Sequence, residues 1–117
     1  MLKLRNKEIH ISQGDDAAIT IALTQNGEPY VLEEGDEVIF TMSKDVNSPY
    51  LIQKSITNVG GSSIILLLNK EDTSNIDSGF YLYELQIVYA NGSQSKLVPP
   101  TIFEIMDVMK NGGYSGK

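Results

Sequence analysis

The stretch Asn75–Gly92, NIDSGFYLYELQIVYANG, decides the fold because it joins a turn, a long alternating segment and a second turn. From Phe80 to Tyr89, one row of side chains is apolar or aromatic, and the other row includes a glutamate and a glutamine. This period of two is typical of a strand with one buried face and one wetter face. Asn91-Gly92 then predicts a hairpin turn, because both residues tolerate positive φ.

Five further segments are predicted to be strands: Ala18–Thr24, Glu37–Ser43, Ile64–Leu68, Ser95–Val98 and Thr101–Ile105. Ile64–Leu68 is apolar at every position, which favours a strand that is buried on both faces. Pro99-Pro100 predicts a bend or an edge strand, because proline cannot donate a hydrogen bond to a neighbouring strand. A helix is expected only as a single turn at Glu71–Asn75.

Short strands without a long helical pattern predict an all-β fold, an antiparallel sandwich of about seven or eight strands. The chain has 117 residues and no cysteine, so we expect one domain whose core forms without a disulfide. We place this domain at residues 1–110. The glycine-rich residues 111–117 are expected to be a flexible tail.

Asp77, Gly79 and Tyr81 have the spacing D-x-G-x-Y, which is typical of the tyrosine corner in immunoglobulin-like sandwiches. The Tyr81 hydroxyl is then expected to bond to backbone just upstream, and Gly79 to allow a tight backbone conformation. Asp77 is expected to accept local backbone donors. The alternative is that Tyr81, Tyr83 and Tyr89 form an aromatic row that binds a ligand.

The charge and hydropathy of the chain exclude two classes of partner. The net charge is −6 and the basic residues are scattered, so we expect no nucleic-acid partner. No segment approaches the roughly 20 apolar residues of a membrane helix, and the N-terminus lacks a signal-peptide pattern. We therefore expect no membrane partner and synthesis in the cytoplasm.

The residue types needed for catalysis are scarce. His10 is the only histidine and cysteine is absent, so a nucleophile with a histidine base is not supported. Ile9 and Ile11 flank His10, which predicts that its ring points to the solvated face of an edge strand.

The acidic loop Glu33–Glu37 lacks the register of a calcium site, although composition leaves a two-carboxylate hydrolase open. We expect no catalytic residue, metal, cofactor or small-molecule substrate.

Several short motifs occur in a defined order: Gly14-Asp15-Asp16, Gly35-Asp36, Asp72-Thr73, Gly79 with Tyr81 and Tyr83, and Thr101–Ile105. This order resembles the N-terminal domain of phage baseplate upper proteins and of related tail proteins from phages and prophages of Gram-positive bacteria. The resemblance covers roughly Ile9–Val108. Baseplate upper proteins continue into further domains, so we expect a free-standing version of the module.

The resemblance implies a non-enzymatic virion structural protein, associated with the tail or baseplate. Its partners would be other virion proteins or further copies of the chain, first in the host cytoplasm and then in the virion. The apolar residues Ile105, Met106, Val108 and Met109 form a possible interface, since methionine adapts to irregular contacts.

A second hypothesis is a carbohydrate- or cell-surface-binding module. In that case exposed tyrosines, namely Tyr30, Tyr50 and Tyr114, would stack on sugar faces.

Overall fold

The computed structural model of the protein describes residues 8–25 and 27–107. The strands in this part of the chain are β1 (Ile9–Ser12), β2 (Ala17–Ala22), β3 (Thr24–Gln25), β4 (Glu28–Pro29), β5 (Glu37–Ser43), β6 (Tyr50–Ile56), β7 (Ser63–Leu68), β8 (Gly79–Val88) and β9 (Gln94–Met106). One short helix, α1 (Lys70–Ser74), lies between β7 and β8. The chain is therefore mostly β, as the alternating pattern predicts. The strand number exceeds the expected seven or eight because β3 and β4 are separate strands of two residues each.

Five of the strands form one sheet in the order β1-β9-β8-β5-β6. β2 and β7 form a second, antiparallel sheet, and β3 pairs with β4. The prediction of a purely antiparallel fold is wrong at one edge, because β1 runs parallel to β9, with Ile9 beside Phe103. Parallel neighbours need a long connection, and nearly the whole chain lies between these two strands.

The two sheets share one hydrophobic core, to which β5, β7, β8 and β9 contribute alternate side chains. At its centre Phe40, Tyr83 and Phe103 contact one another, with ring centroids 5.6 to 6.2 Å apart. Aromatic pairs at such distances add about 0.5–1.5 kcal/mol each beyond the area they bury. This aromatic cluster joins the neighbouring strands β5, β8 and β9 on the core side of the large sheet.

The residues of β7 alternate between buried and exposed, which corrects the prediction that this strand is buried on both faces. Ile64, Leu66 and Leu68 point into the core, whereas Ile65 and Leu67 are 53% and 57% exposed. The physical reason is that β7 belongs to a sheet of only two strands. Within the described ranges, no layer covers the outer side of that sheet.

The prolines of β9 disturb pairing without ending the strand. Tyr83 pairs with Thr101 and Leu85 pairs with Val98, so Glu84 faces two residues, Pro99 and Pro100. The predicted bend is therefore a bulge inside one long strand.

Candidate functional site

Tyr81 closes a corner in front of β8. Its hydroxyl donates a hydrogen bond to the backbone carbonyl oxygen of Asp77 at 2.5 Å, and its side chain is buried. Gly79 has φ +146°, in the range that L side chains rarely adopt. Asp77 takes part through its backbone carbonyl oxygen, whereas the sequence predicted its side chain. The corner therefore fixes the path of the chain from α1 into the large sheet.

The three tyrosines of this region do not form an exposed row. Tyr83 is buried in the aromatic cluster, where burial raises the pKa of its hydroxyl to about 12. Tyr89 packs edge-on against Tyr30, with ring centroids 6.1 Å apart. The ring faces that a ligand would need are thus in contact with the protein itself.

Two of the sequence motifs meet at α1. The backbone N–H of Gly14 donates to the Thr73 hydroxyl at 2.8 Å, and Thr73 is fully buried. The Asp16 carboxylate accepts the backbone N–H of Lys70 at 2.7 Å. These residues attach the β1–β2 loop to the helix, so the motifs that carry the resemblance have structural roles here.

A third motif residue, Asp36, is a buried carboxylate. It accepts hydrogen bonds from the Tyr30 hydroxyl at 2.7 Å and from the backbone N–H groups of Glu33 and Ala90, both at 3.0 Å. Burial alone would raise the pKa of Asp36, but these hydrogen bonds outweigh burial and lower it. A side chain at Gly35 would press on Ala90, because an added Cβ would lie 2.7 Å from the Ala90 Cβ. Asp36 thus joins the loop before β5 to the end of β8.

The acidic loop around Asp36 does not converge on a common point. Within residues 8–25 and 27–107, no group of three or more histidine, aspartate or glutamate side chains could hold a metal ion. The carboxylate of Asp36 is buried, whereas the side chains of Glu33 and Glu34 are exposed to solvent.

His10 lies on the solvated side of β1, where its ring contacts two carboxylates. Nδ1 is 2.7 Å from Glu104 Oε1, and Nε2 is 3.1 Å from Glu8 Oε1. The hydrogen bond with Glu104, and then that with Glu8, raises the pKa of His10. Because Glu104 belongs to β9, this contact fastens the edge strand to its neighbour.

The outer face of the second sheet carries two of the exposed large hydrophobic side chains, Ile65 and Leu67. We call it the β2–β7 face, and its members are Ala18, Thr20, Ala22, Ile65 and Leu67. Ala18 lies beside Leu67 and Thr20 beside Ile65, and all five are exposed. Each strand also has one edge that pairs with no other described strand. Such a surface is a common place for contact with another protein.

The predicted interface at the end of β9 is only partly available. Ile105 is 1% exposed, so its side chain packs in the core of its own domain and cannot itself contact a partner. Met106 is 38% exposed and lies on the opposite face of the large sheet from Ile105. The exposed Phe80 of β8 lies on that same face. Val108 and Met109 lie outside the described residues, as does the tail at residues 111–117.

A cavity of about 360 Å³ opens on the outer side of the large sheet. It is lined by Thr41, Ser43, Val46, Ser48, Pro49, Tyr50, Leu82, Tyr83, Glu84 and Pro100. Of the three tyrosines proposed for sugar binding, only Tyr50 lies here. Tyr30 is engaged with Asp36 and Tyr89, and Tyr114 is outside the described residues. The sequence signals of this site are Pro49-Tyr50 and Pro99-Pro100.

In residues 8–25 and 27–107, no helix is long and apolar enough to cross a membrane. The chain matches no protein-family model and no curated protein.

Proposed function

We propose that this protein is a non-enzymatic structural component of a phage or prophage particle, associated with the tail or baseplate, that acts through protein–protein contacts. In this proposal the chain folds in the host cytoplasm and is then built into the virion. Its partners are other virion proteins or further copies of itself.

The proposal includes an immunoglobulin-like fold. Two sheets share one core, and a tyrosine hydroxyl closes a corner before the long strand β8. The edge strand β1 runs parallel to β9 while the remaining pairs are antiparallel. These features, together with the order of the motifs, support the resemblance to the phage module.

The single observation that carries the assembly role is the β2–β7 face. The sequence of β7 is that of a strand covered on both sides, but the domain covers only one side. Covering Ile65 and Leu67, each about half exposed, would contribute roughly 2–3 kcal/mol in total. That is modest for one contact, but a particle repeats its contacts many times, so the combined binding is much stronger.

The surface charge of the protein adds to this argument. With a net charge of −6, copies of the chain repel one another over most of their surface. The β2–β7 face carries only alanine, threonine, isoleucine and leucine, so a partner can approach it without removing water from a charge.

Particles purified from the host that carries the gene provide the test. We expect mass spectrometry to find the chain in these particles at a fixed ratio to the other tail proteins. We also expect Leu67→Lys to reduce its incorporation, because the variant places a charge in the covered face. Val46→Lys makes a matched change at an exposed apolar residue in the β5–β6 loop and should be incorporated normally.

Two results would contradict the proposal. The first is absence of the chain from intact particles. The second is equal incorporation of both variants, with circular dichroism showing that each is folded.

A further inference from the structure

The cavity beside Tyr50 lies where two strand pairs are irregular. The β5–β6 pairing shifts register between Met42 and Ser43. On the other side of β5, the β8–β9 pairing shifts at Glu84, which faces Pro99 and Pro100. Bulges bend a sheet and redirect side chains, and they are frequent beside binding sites. Here these two irregularities border one concave surface of the large sheet.

The loop that forms one wall of the cavity is held in place by Asp45. One carboxylate oxygen of Asp45 accepts the backbone N–H of Asn47 and the Ser48 hydroxyl, both at 2.9 Å. The Ser43 hydroxyl donates to the backbone carbonyl oxygen of Asp45 at 2.7 Å. A wall that is already ordered loses little conformational entropy when a ligand binds.

The lining combines an aromatic ring, apolar walls and oxygen atoms. Tyr50 is 58% exposed, so much of its ring is accessible to a ligand. The apolar walls come from Val46, Pro49, Leu82 and Pro100, and the side-chain oxygens come from Thr41, Ser43, Ser48 and Glu84. A sugar needs this combination, because its C–H faces pack on apolar and aromatic surfaces while its hydroxyl groups need hydrogen-bond partners.

The charges around the cavity indicate which kind of ligand fits. Lys96 Nζ lies 3.0 Å from Glu84 Oε1 and neutralises that carboxylate, which weakens the attraction for a cation. The net charge of −6 disfavours an anion. A carboxylate can accept about four hydrogen bonds, so Glu84 keeps acceptor capacity beside Lys96.

We propose that this cavity binds a neutral saccharide, with the Tyr50 ring against one sugar face and the oxygens of Thr41 and Glu84 bonded to sugar hydroxyls. Its volume is at the lower end of the range of ligand pockets and suits a short glycan or its terminal units. The inference is independent of the assembly role, because the β2–β7 face is on the other sheet.

The test is a titration of the ¹⁵N-labelled protein followed by NMR. The probes are glucose, galactose, rhamnose, N-acetylglucosamine and their linear trimers, at about 10 mM so that weak binding is visible. At least one probe should move the amide signals of residues 41–50 and 82–84. Tyr50→Ala should weaken that binding about tenfold or more, and Tyr50→Phe should retain it. Phe80→Ala removes a similarly exposed ring outside the cavity and should leave the affinity unchanged.

Two outcomes would overturn the inference. They are the absence of shifts near Tyr50 with every probe, and equal affinity of Tyr50→Ala and the unchanged protein.

Discussion

The Tyr30 hydroxyl donates a hydrogen bond to the carboxylate of Asp36 at 2.7 Å, and this bond crosses the loop that leads into β5. Asp36 also accepts the backbone N–H of Ala90, just after β8. One buried carboxylate therefore connects the segment between β4 and β5 to the residues just after β8. Its loss should affect the whole domain and not only the loop.

Replacing Asp36 with asparagine should destabilise the protein by about 1–3 kcal/mol, because the amide cannot satisfy three donors at once. Urea unfolding, followed by circular dichroism, measures the change. Glu34→Gln is the matched control, since it removes an exposed charge from the same loop, and it should change stability by less than about 0.5 kcal/mol. Equal stability of the two variants would show that Asp36 does not hold these segments together.

The stabilisation by Asp36 should disappear in acid. Hydrogen bonds lower the pKa of Asp36 in the folded protein below its value in the unfolded chain. The contribution is therefore complete above the unfolded pKa of about 3.9 and is lost as the pH falls through the folded pKa. The difference in unfolding free energy between the protein and Asp36→Asn should be constant from pH 5 to pH 7 and shrink below about pH 4. A constant difference down to pH 2 would contradict this assignment.

His10 should show the opposite pH dependence. Its two carboxylate partners raise the pKa of His10 in the folded protein. The contribution of protonated His10 to the stability of the fold is therefore complete below the unfolded pKa of about 6.5, and it is lost as the pH rises through the folded pKa. An NMR titration of the imidazole signals gives this pKa directly. In Glu104→Gln it should return toward the ordinary value, because the 2.7 Å partner has lost its charge. A pKa of His10 that is normal in the unchanged protein would show that the ring does not bond to Glu104 in solution.

Tyr81→Phe should cost about 0.5–1.5 kcal/mol, because it removes one buried hydrogen bond and leaves the ring in place. Tyr50→Phe removes the hydroxyl of an exposed ring and should change stability by less than about 0.5 kcal/mol. Thermal or urea unfolding compares the two variants. An equally small effect at both positions would mean that the corner bond contributes nothing to folding.

The two faces of β7 should respond differently to substitution in the isolated domain. Leu66 is fully buried, so Leu66→Ala should cost about 2–5 kcal/mol. The neighbouring Leu67 is exposed, so Leu67→Ala should change stability by less than about 0.5 kcal/mol. Similar losses at both positions would show that the isolated chain already covers the β2–β7 face.

The sequence indicates the local structure better than the way the strands assemble. The period of two correctly predicts β5 and β8, because one face of each strand meets the core and the other meets water. The continuous apolar run in β7 is misleading, since a run of five apolar residues does not reveal how many strands share its sheet. The parallel pairing of β1 with β9 depends on contacts between distant parts of the chain, which no local pattern records.

The candidate sites also depend on contacts between distant residues, which local sequence patterns do not reveal. Glu33–Glu37 has the pattern of a solvated acidic loop, and nothing local shows that Asp36 turns inward to meet Tyr30 and Ala90. The cavity beside Tyr50 depends on register shifts in two separate strand pairs. Pro99-Pro100 predicts a disturbance in β9, but its position opposite Glu84 follows only from the pairing of the folded strands.

The central claim is that a partner covers the β2–β7 face in the assembled particle, and the reactivity of a single thiol tests it most directly. The chain contains no cysteine, so Leu67→Cys introduces a unique label site, and Val46→Cys provides the control. In the free protein a maleimide should label both variants quickly, because both positions are exposed. In purified particles the thiol at position 67 should be protected while the thiol at position 46 still reacts. Equal labelling at position 67 in the free protein and in the particle would contradict the account.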